Sequence, residues 1–323
     1  TPGGRIYHET HYAPMLRMQG AAREIALDIV CADGRRLPAL VNSVLERDSS
    51  GAGVVVRTAV FDATERREYE RELLRAKQRA EDSEQEALLL ARTLQQTLIP
   101  PTPPAIPGLD VAAAYRPAGH GELVGGDFYD VFQVAEGDWV VVVGDVCGKG
   151  VEAAVVTALA RYTVRAAAVE HRDAGVVLRT LNEMLLRHDT ERFCTVALLR
   201  LRQADGAWTA TVCSGGHPLP LLVRGDAVVE IGAYGSLLGI VPDARFEEVV
   251  IPLQADDSVV LYTDGVTEAR QDDEWFEDIG LRKAIAAHRG SAASLVEGIV
   301  GDVLAMQADE PRDDIALVVV GVP

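Results

Sequence analysis

The run Trp139-Val140-Val141-Val142-Val143-Gly144-Asp145-Val146-Cys147-Gly148-Lys149-Gly150 sets four valines in a row before a carboxylate flanked by glycine. An unbroken apolar, β-branched run closed by Gly reads as a buried strand. Its terminal Asp145 points an anion out at the sheet edge, and the glycines let another group approach it closely. Three further places repeat the design. Asp127 precedes a strand in Gly125-Gly126-Asp127-Phe128-Tyr129-Asp130. Asp264 ends Val259-Val260-Leu261-Tyr262-Thr263-Asp264-Gly265, and Asp313 and Asp314 precede Ile315-Ala316-Leu317-Val318-Val319-Val320. A single Asp in such a place is usually a turn residue. Four at strand ends of one domain converge only if a cation neutralises them, because clustered carboxylates repel. The donors are all oxygen, with no nearby Cys or His pattern, which suits Mg²⁺ or Mn²⁺ rather than zinc.

Around these acids, further strands are expected at Val111–Tyr115, Thr195–Leu201, Thr209–Ser214 and Leu219–Arg224. Helices are expected at Glu152–Val169, Gly175–Arg187, Gly280–Ala287 and Ser294–Ala305. Strands in runs and helices in pairs imply α+β layering rather than alternating βαβ units.

Five segments occur in a fixed order: Gly125–Asp130, Gly144–Gly150, Ser214-Gly215-Gly216-His217-Pro218, Thr263-Asp264-Gly265-Val266-Thr267-Glu268-Ala269 and Asp313-Asp314-Ile315. The series resembles the metal-dependent PPM (protein phosphatase 2C-like) serine/threonine phosphatases, in the bacterial SpoIIE/RsbU-type branch. Leu94–Pro101 and Ala114-Tyr115-Arg116-Pro117-Ala118 are also typical of that branch. The resemblance spans about 94–320 and implies a central β-sandwich flanked by helix pairs. It further implies two Mn²⁺ or Mg²⁺ ions, with Asp145 bridging and Asp264 and Asp313 completing the more buried site. The Val146 carbonyl would serve the second ion, Asp127 would hold water or add a ligand, and Asp314 is the less certain of the final pair. In two-metal hydrolysis the cations lower the pKa of the attacking water and neutralise the phosphoryl oxygens.

Some residues depart from the family or stay open. Cys147 stands where eukaryotic members carry a histidine proposed as general acid, and it is not read as a nucleophile. No arginine can be placed in the role of gripping phosphate. His217 is either an acid or, the favoured reading, a residue that fixes a strand connection. Gly148-Lys149-Gly150 lacks the full spacing of a phosphate loop, so no ATP site is expected. The helix over Ala153–Ala168 should pack on the sheet and is placed to act as a switch. The acidic stretch Asp272–Asp278 reads as a solvated loop, with Trp275 and Phe276 as alternative anchors for a partner.

Upstream, Arg23–Val30, Leu37–Leu45 and Gly53–Phe61 read as an antiparallel meander, with a turn at Asp33-Gly34 and a short helix around Tyr12–Met18. The meander resembles the closing strands of a PAS sensor domain, with a nameless meander as the alternative. Asp62-Ala63-Thr64-Glu65-Arg66 stands at the exit into a signalling helix. Residues 64–99 contain neither Gly nor Pro and should form one long helix. Tyr69, Leu73, Ala76, Ala80, Ser83, Ala87, Leu90, Leu94 and Thr97 follow a 4-3-4-3 spacing, the seam of a coiled coil. A parallel homodimer is preferred to a solvated helix because the seam persists for four heptads. Pro100, Pro101, Pro103, Pro104 and Pro107 make a stiff linker. The expected division is a partial PAS-like domain 1–65, a coiled-coil helix 66–99, a linker 100–108 and a phosphatase domain 109–323.

The chain has 323 residues and a formal net charge of −18. Residues 1–99 hold 14 basic and 15 acidic groups and residues 100–323 hold 17 and 34, so the acid belongs to the second part. Such a balance argues against nucleic acid as partner, since phosphate binding runs on Lys and Arg. Four cysteines without a C-x-x-C pair give no disulfide framework and fit a reducing cytoplasm. No membrane insertion is expected, and a start at Thr1 reads as a fragment. The expected substrate, by resemblance, is a phosphorylated STAS-domain anti-sigma-factor antagonist in a partner-switching pathway, with the sensor acting through the dimeric helix. The alternatives are an inactive sensor-scaffold that binds the partner without hydrolysis, and a metal-dependent nuclease, disfavoured by the lack of a basic track.

Overall fold

A computed structural model of the chain describes residues 1–49, 53–98, 102–118, 125–188, 192–271, 274–307 and 311–323. It forms two compact units, Thr1–Gln85 and Glu86–Pro323. No helix among the described residues is long and apolar enough to cross a membrane.

In the first unit, helices α1 (Pro2–Tyr7) and α2 (Ala13–Gln19), joined by a π-helical turn at His8–Tyr12, lead into three antiparallel strands. These are β1 (Ala21–Val30), β2 (Arg36–Arg47) and β3 (Gly53–Asp62), in the order β1-β2-β3. The expected meander is therefore present, and its helical lead-in is longer than the sequence suggested. Gly20 ends α2 at φ +73, a left-handed cap that glycine adopts without strain. The small core is Tyr12, Leu16, Ala22, Ile25 and Val41, with the Tyr12 hydroxyl hydrogen-bonded to Ser43. Val55, Val56, Val60 and Phe61 on β3 stay exposed, as befits a sheet too small to bury a full core. Asp62 then starts the long helix α3 (Thr64–Leu98) by accepting from the Thr64 backbone N–H at 2.9 Å. Arg67 ties its first turn to Asp28 of β1. From Glu68 to Glu86 every α3 residue is exposed, including Tyr69 and Leu73 of the seam. The side chains of Leu90, Leu94 and Thr97 lie outside the described residues.

The second unit contains two five-stranded antiparallel sheets. The first holds β5 (Phe128–Ala135), β6 (Asp138–Val146), β7 (Cys194–Ala204), β8 (Ala207–Gly215) and β11 (Glu248–Pro252), in the order β11-β8-β7-β6-β5. The second holds β4 (Asp110–Arg116), β9 (Leu221–Arg224), β10 (Ala227–Glu230), β12 (Ser258–Tyr262) and β15 (Ile315–Gly321), in the order β10-β9-β12-β15-β4. Val141, Val143, Leu199, Leu201, Leu261, Ala316 and Val318 pack together between the sheets. Alternate residues of the same strands face outward, where α4 (Val151–Glu170) and α5 (Ala174–Arg187) cover the first sheet. The pair α7 (Glu277–Ala287) and α8 (Ala292–Met306) covers the second. The result is the expected β-sandwich flanked by helix pairs. The central strands β6, β12 and β15 are buried on both faces, which explains their continuous valine runs. Alanines on the inner face of α4, among them Ala153, Ala160 and Ala167, allow it close to the sheet.

Several short elements differ from expectation. β10 and β11 are short strands at the sheet edges, too brief for their periodicity to register. β9 starts at Leu221 rather than Leu219, because Pro220 cannot donate a ladder hydrogen bond. Asp264 does not end a strand; it opens a one-turn helix, α6 (Asp264–Thr267), two residues past β12. The expected solvated loop at 272–278 is corrected as well. Arg270–Gln271 (β13) and Glu274–Trp275 (β14) pair as a small hairpin, and Glu277 and Asp278 form the first turn of α7. Asp272 and Asp273 lie outside the described residues.

Candidate metal centre

The inward-facing rows of both sheets run out at the same end of the sandwich, and their last members are acids. On β6 the row Val141, Val143 continues to Asp145; on β15 the row Val318, Ala316 continues back to Asp314. Asp127 extends the row of Tyr129 and Val131 on β5 in the same way. Asp127, Asp145 and Asp264 each offer an oxygen within 4.8 Å of the others. Asp127 is buried at 4% exposure, and its Oδ2 has no hydrogen-bond partner. Burial, then the Asp145 carboxylate, holds the Asp127 carboxyl well above the ordinary carboxylate range. Asp145 is raised by burial. Asp264 is pushed up to about 6, by burial first and then by Asp145. The Asp145 carboxylate opposes the charge of both Asp127 and Asp264, and a cation among the three relieves that crowding.

The surroundings leave room for such an ion. A Cβ on Gly126 would collide with the Val146 carbonyl oxygen and with Asp145 Oδ1, so only glycine keeps that carbonyl and carboxylate side by side. The donor set, carboxylates plus one backbone carbonyl, is the kind that hard divalent cations choose. Orphaned Oδ2, an all-oxygen donor set and a glycine cradle together fit a divalent ion.

The final pair divides. Asp314 is buried and already satisfied: Oδ2 accepts from the Tyr115 hydroxyl at 2.9 Å and Oδ1 from the Ala118 N–H at 2.8 Å. Asp313 is half exposed, outside the trio, and its Oδ1 lies 3.0 Å from Lys149 Nζ. Lys149 follows Asp145 by four residues, and the loop returns its ammonium to the cluster. In the sequence, Lys149 resembles only a fragment of a phosphate loop. Tyr115 was missed too, because only strand pairing between β4 and β15 brings it to Asp314.

His217 is settled as a positioning residue. It is 1% exposed; Nδ1 accepts from Thr195 Oγ1 at 2.8 Å and Nε2–H donates to the Tyr262 carbonyl at 3.1 Å. Thr195 pairs with Asp145 across β6 and β7, and Tyr262 stands two residues before Asp264, so the ring links both sheets behind the acids. Burial lowers its pKa to about 4, against about 6.5 when unfolded. The neutral ring therefore stabilises the fold fully above pH 6.5, and that contribution is lost as pH falls toward 4. In EDTA, the urea-stability difference between the natural protein and His217→Gln is expected to shrink by about 3 kcal/mol over that interval. An unchanged difference would mean that the ring is protonated in the folded state.

Residues 135–323 match the family described as Stage II sporulation protein E (SpoIIE). Asp145, Asp264, Asp313 and Asp314 fall inside the match, and Asp127 precedes it. Phosphoserine phosphatase RsbU of Bacillus subtilis (strain 168) is 28% identical over 234 residues, covering 71% of this chain and 68% of RsbU. The solved RsbU and RsbW domains of Rv1364c from Mycobacterium tuberculosis align with a TM-score of 0.58 and 25% identity, over 70% of this chain and 64% of that one. The PP2C phosphatase domain of SpoIIE from Bacillus subtilis, solved with a fragment of its regulatory domain, aligns with a TM-score of 0.59 and 22% identity. That alignment covers 66% of this chain and 63% of the solved one, and is a likeness of fold. The match takes in more than half of the residues, including the strands and turns that carry four of the five acids, and the chain belongs to the SpoIIE family of PP2C-type protein serine/threonine phosphatases.

Proposed function

We propose that residues 109–323 hydrolyse phosphoserine and phosphothreonine on a partner protein, with two Mn²⁺ or Mg²⁺ ions held by Asp127, Asp145, Asp264, Asp313 and the Val146 carbonyl. The observation that carries this is the convergence of three buried or half-buried carboxylates around the orphaned Asp127 Oδ2. Bound there, the ions supply an attacking water acidic enough to ionise near neutral pH and the charge that offsets the phosphoryl oxygens. The residues of the chain then have distinct tasks. Asp127, Asp145, Asp264 and Asp313 hold the ions, with the Val146 carbonyl. Asp314, fixed by Tyr115 and Ala118, keeps the β15 turn in place behind them. Lys149 lies beside Asp313, where its ammonium can meet the incoming phosphoryl group. Both ring nitrogens of His217 are engaged, so the leaving oxygen takes its proton from water.

The substrate we favour is a phosphorylated STAS-domain anti-sigma-factor antagonist, acted on in the cytoplasm. The likeness to RsbU over most of the chain supports it. Regulation would come from the N-terminal PAS-like unit through a homodimer formed along α3, whose described seam positions from Tyr69 to Ser83 are exposed in the single chain. Phosphate release from a phosphoserine peptide should require Mn²⁺ and stop in EDTA, and the particle should go from two chains to one when residues 1–99 are removed. Metal-independent release would overturn the two-ion assignment; an unchanged number of chains per particle would overturn the dimer.

A further inference from the structure

Beside the acidic cluster is a cavity of about 200 Å³ that the hydrolytic reading does not use. Asp313 and Gly265 form the wall it shares with the cluster, while Arg270, Trp275 and Arg312 line the other sides. We propose that this cavity is a specificity subsite that takes an acidic side chain of the phosphoprotein next to the phosphorylated residue. It deepens, and rests on, the phosphatase reading.

The two arginines are held in place by different means. Arg270 and Trp275 are cross-strand partners in the β13–β14 hairpin, and the Arg270 guanidinium stands 4.5 Å over the Trp275 ring. The hairpin is closed at its base by the Phe276 N–H donating to the Ala269 carbonyl at 2.7 Å. Arg312 sits in the turn before β15, where its backbone N–H donates to Gln307 Oε1 at 2.9 Å. Among the described residues neither guanidinium is ion-paired or hydrogen-bonded through its side chain. A stacked, unpaired guanidinium keeps its donor fork free for a carboxylate, which it binds in a planar, two-pronged way.

Charge and size narrow the ligand. Glu268 also lines the cavity, and Asp313 is already matched by Lys149, so among the described residues the two arginines leave a local excess of positive charge. Residues 100–323 are otherwise strongly acidic, with 17 basic against 34 acidic groups. An acidic substrate segment is repelled over most of this surface and attracted here, which orients it as well as binding it. The volume is below that of ordinary small-molecule sites and suits a single side chain. The phosphoryl group itself belongs with the carboxylate cluster, on the far side of Asp313.

The test compares two phosphoserine peptides, one with Glu and one with Gln flanking the phosphoserine, using the full chain with Mn²⁺. The natural protein should favour the Glu peptide about tenfold in kcat/KM, the effect of one charge-assisted pairing. In Arg270→Gln and Arg312→Gln that ratio should fall toward one, mainly through KM. No preference in the natural protein would overturn the subsite. So would variants that lose both peptides and p-nitrophenyl phosphate equally, since the arginines would then serve the phosphoryl group. If no phosphate is released from any substrate, the phosphatase reading fails, and the subsite is judged by binding alone. Trp275 is 45% exposed while Trp139 and Trp208 are buried. The Glu peptide should therefore change the fluorescence of the natural protein but not of Trp275→Phe; no change in the natural protein would overturn the subsite.

Discussion

Asp127→Asn is expected to make the metal-free protein more stable and to abolish its Mn²⁺-dependent hydrolysis. Asp127 is 4% exposed, its Oδ2 has no donor, and burial and Asp145 both oppose its charge. An amide of the same shape removes one of three crowded carboxylates and gives Asp145 a hydrogen-bond donor. Relief of this kind at a functional site stabilises by about 1–2 kcal/mol. For a unit of this size that is roughly 2–8 °C in melting temperature. Saturating Mn²⁺ should reverse the order. An ion at a hundred times its dissociation constant adds about 2.7 kcal/mol to the natural protein and should add little to the variant. Melting curves in EDTA and in Mn²⁺ should therefore cross over between the two proteins. If the variant melts no higher in EDTA, or gains as much from Mn²⁺, Asp127 is not a ligand.

Asp130→Ala should strongly destabilise the second unit. Asp130 is fully buried on β5, three residues beyond Asp127, facing α4. Its Oδ2 accepts from Arg161 Nε at 2.9 Å, and both of its oxygens accept from Arg165. Arg165 in turn lies 4.6 Å over the Phe132 ring. Removing the carboxylate strands the Arg161 guanidinium, 9% exposed, without a counter-charge. Stranding one partner of a buried pair costs about 3–5 kcal/mol, roughly 6–20 °C in melting temperature. Replacing Asp130 and Arg161 together by apolar residues of similar volume should cost far less, since the desolvation of both charges is then avoided. Equal losses in the single and double variants would mean that packing, not charge, is at stake. Mn²⁺ affinity should fall with the single variant, because α4 begins just past Val146 and is clamped to β5 by this cluster and by the Thr157 hydroxyl on the Gly126 carbonyl.

The sandwich was legible because its central strands are buried on both sides and so carry unbroken apolar runs, as at Val140–Val143 and Val318–Val320. Asp127, Asp145 and Asp264 were legible as a set because each follows or precedes such a run. What escaped depended on contacts far apart in the chain. Tyr115 and Asp314 are 199 residues apart and meet only through strand pairing. The His217 bracket needs two strands from different sheets. Arg270 and Arg312 look like ordinary surface arginines until a two-residue hairpin and the turn before β15 bring them to one cavity. The hairpin itself was read as loop, since two-residue strands have no measurable periodicity.

The carboxylates reach the centre from two sheets that, among the described residues, share no backbone hydrogen bond. Each ladder fixes its own acids, whereas the alignment of one ladder with the other is set by interdigitating side chains and by side-chain bridges such as the His217 imidazole and Arg224, which donates to the Pro252 carbonyl. The acidic centre thus acts as a gauge of sheet-to-sheet alignment. A slip that leaves every strand paired would still part Asp145 from Asp264, so function is lost to misalignment before the architecture is lost to unfolding.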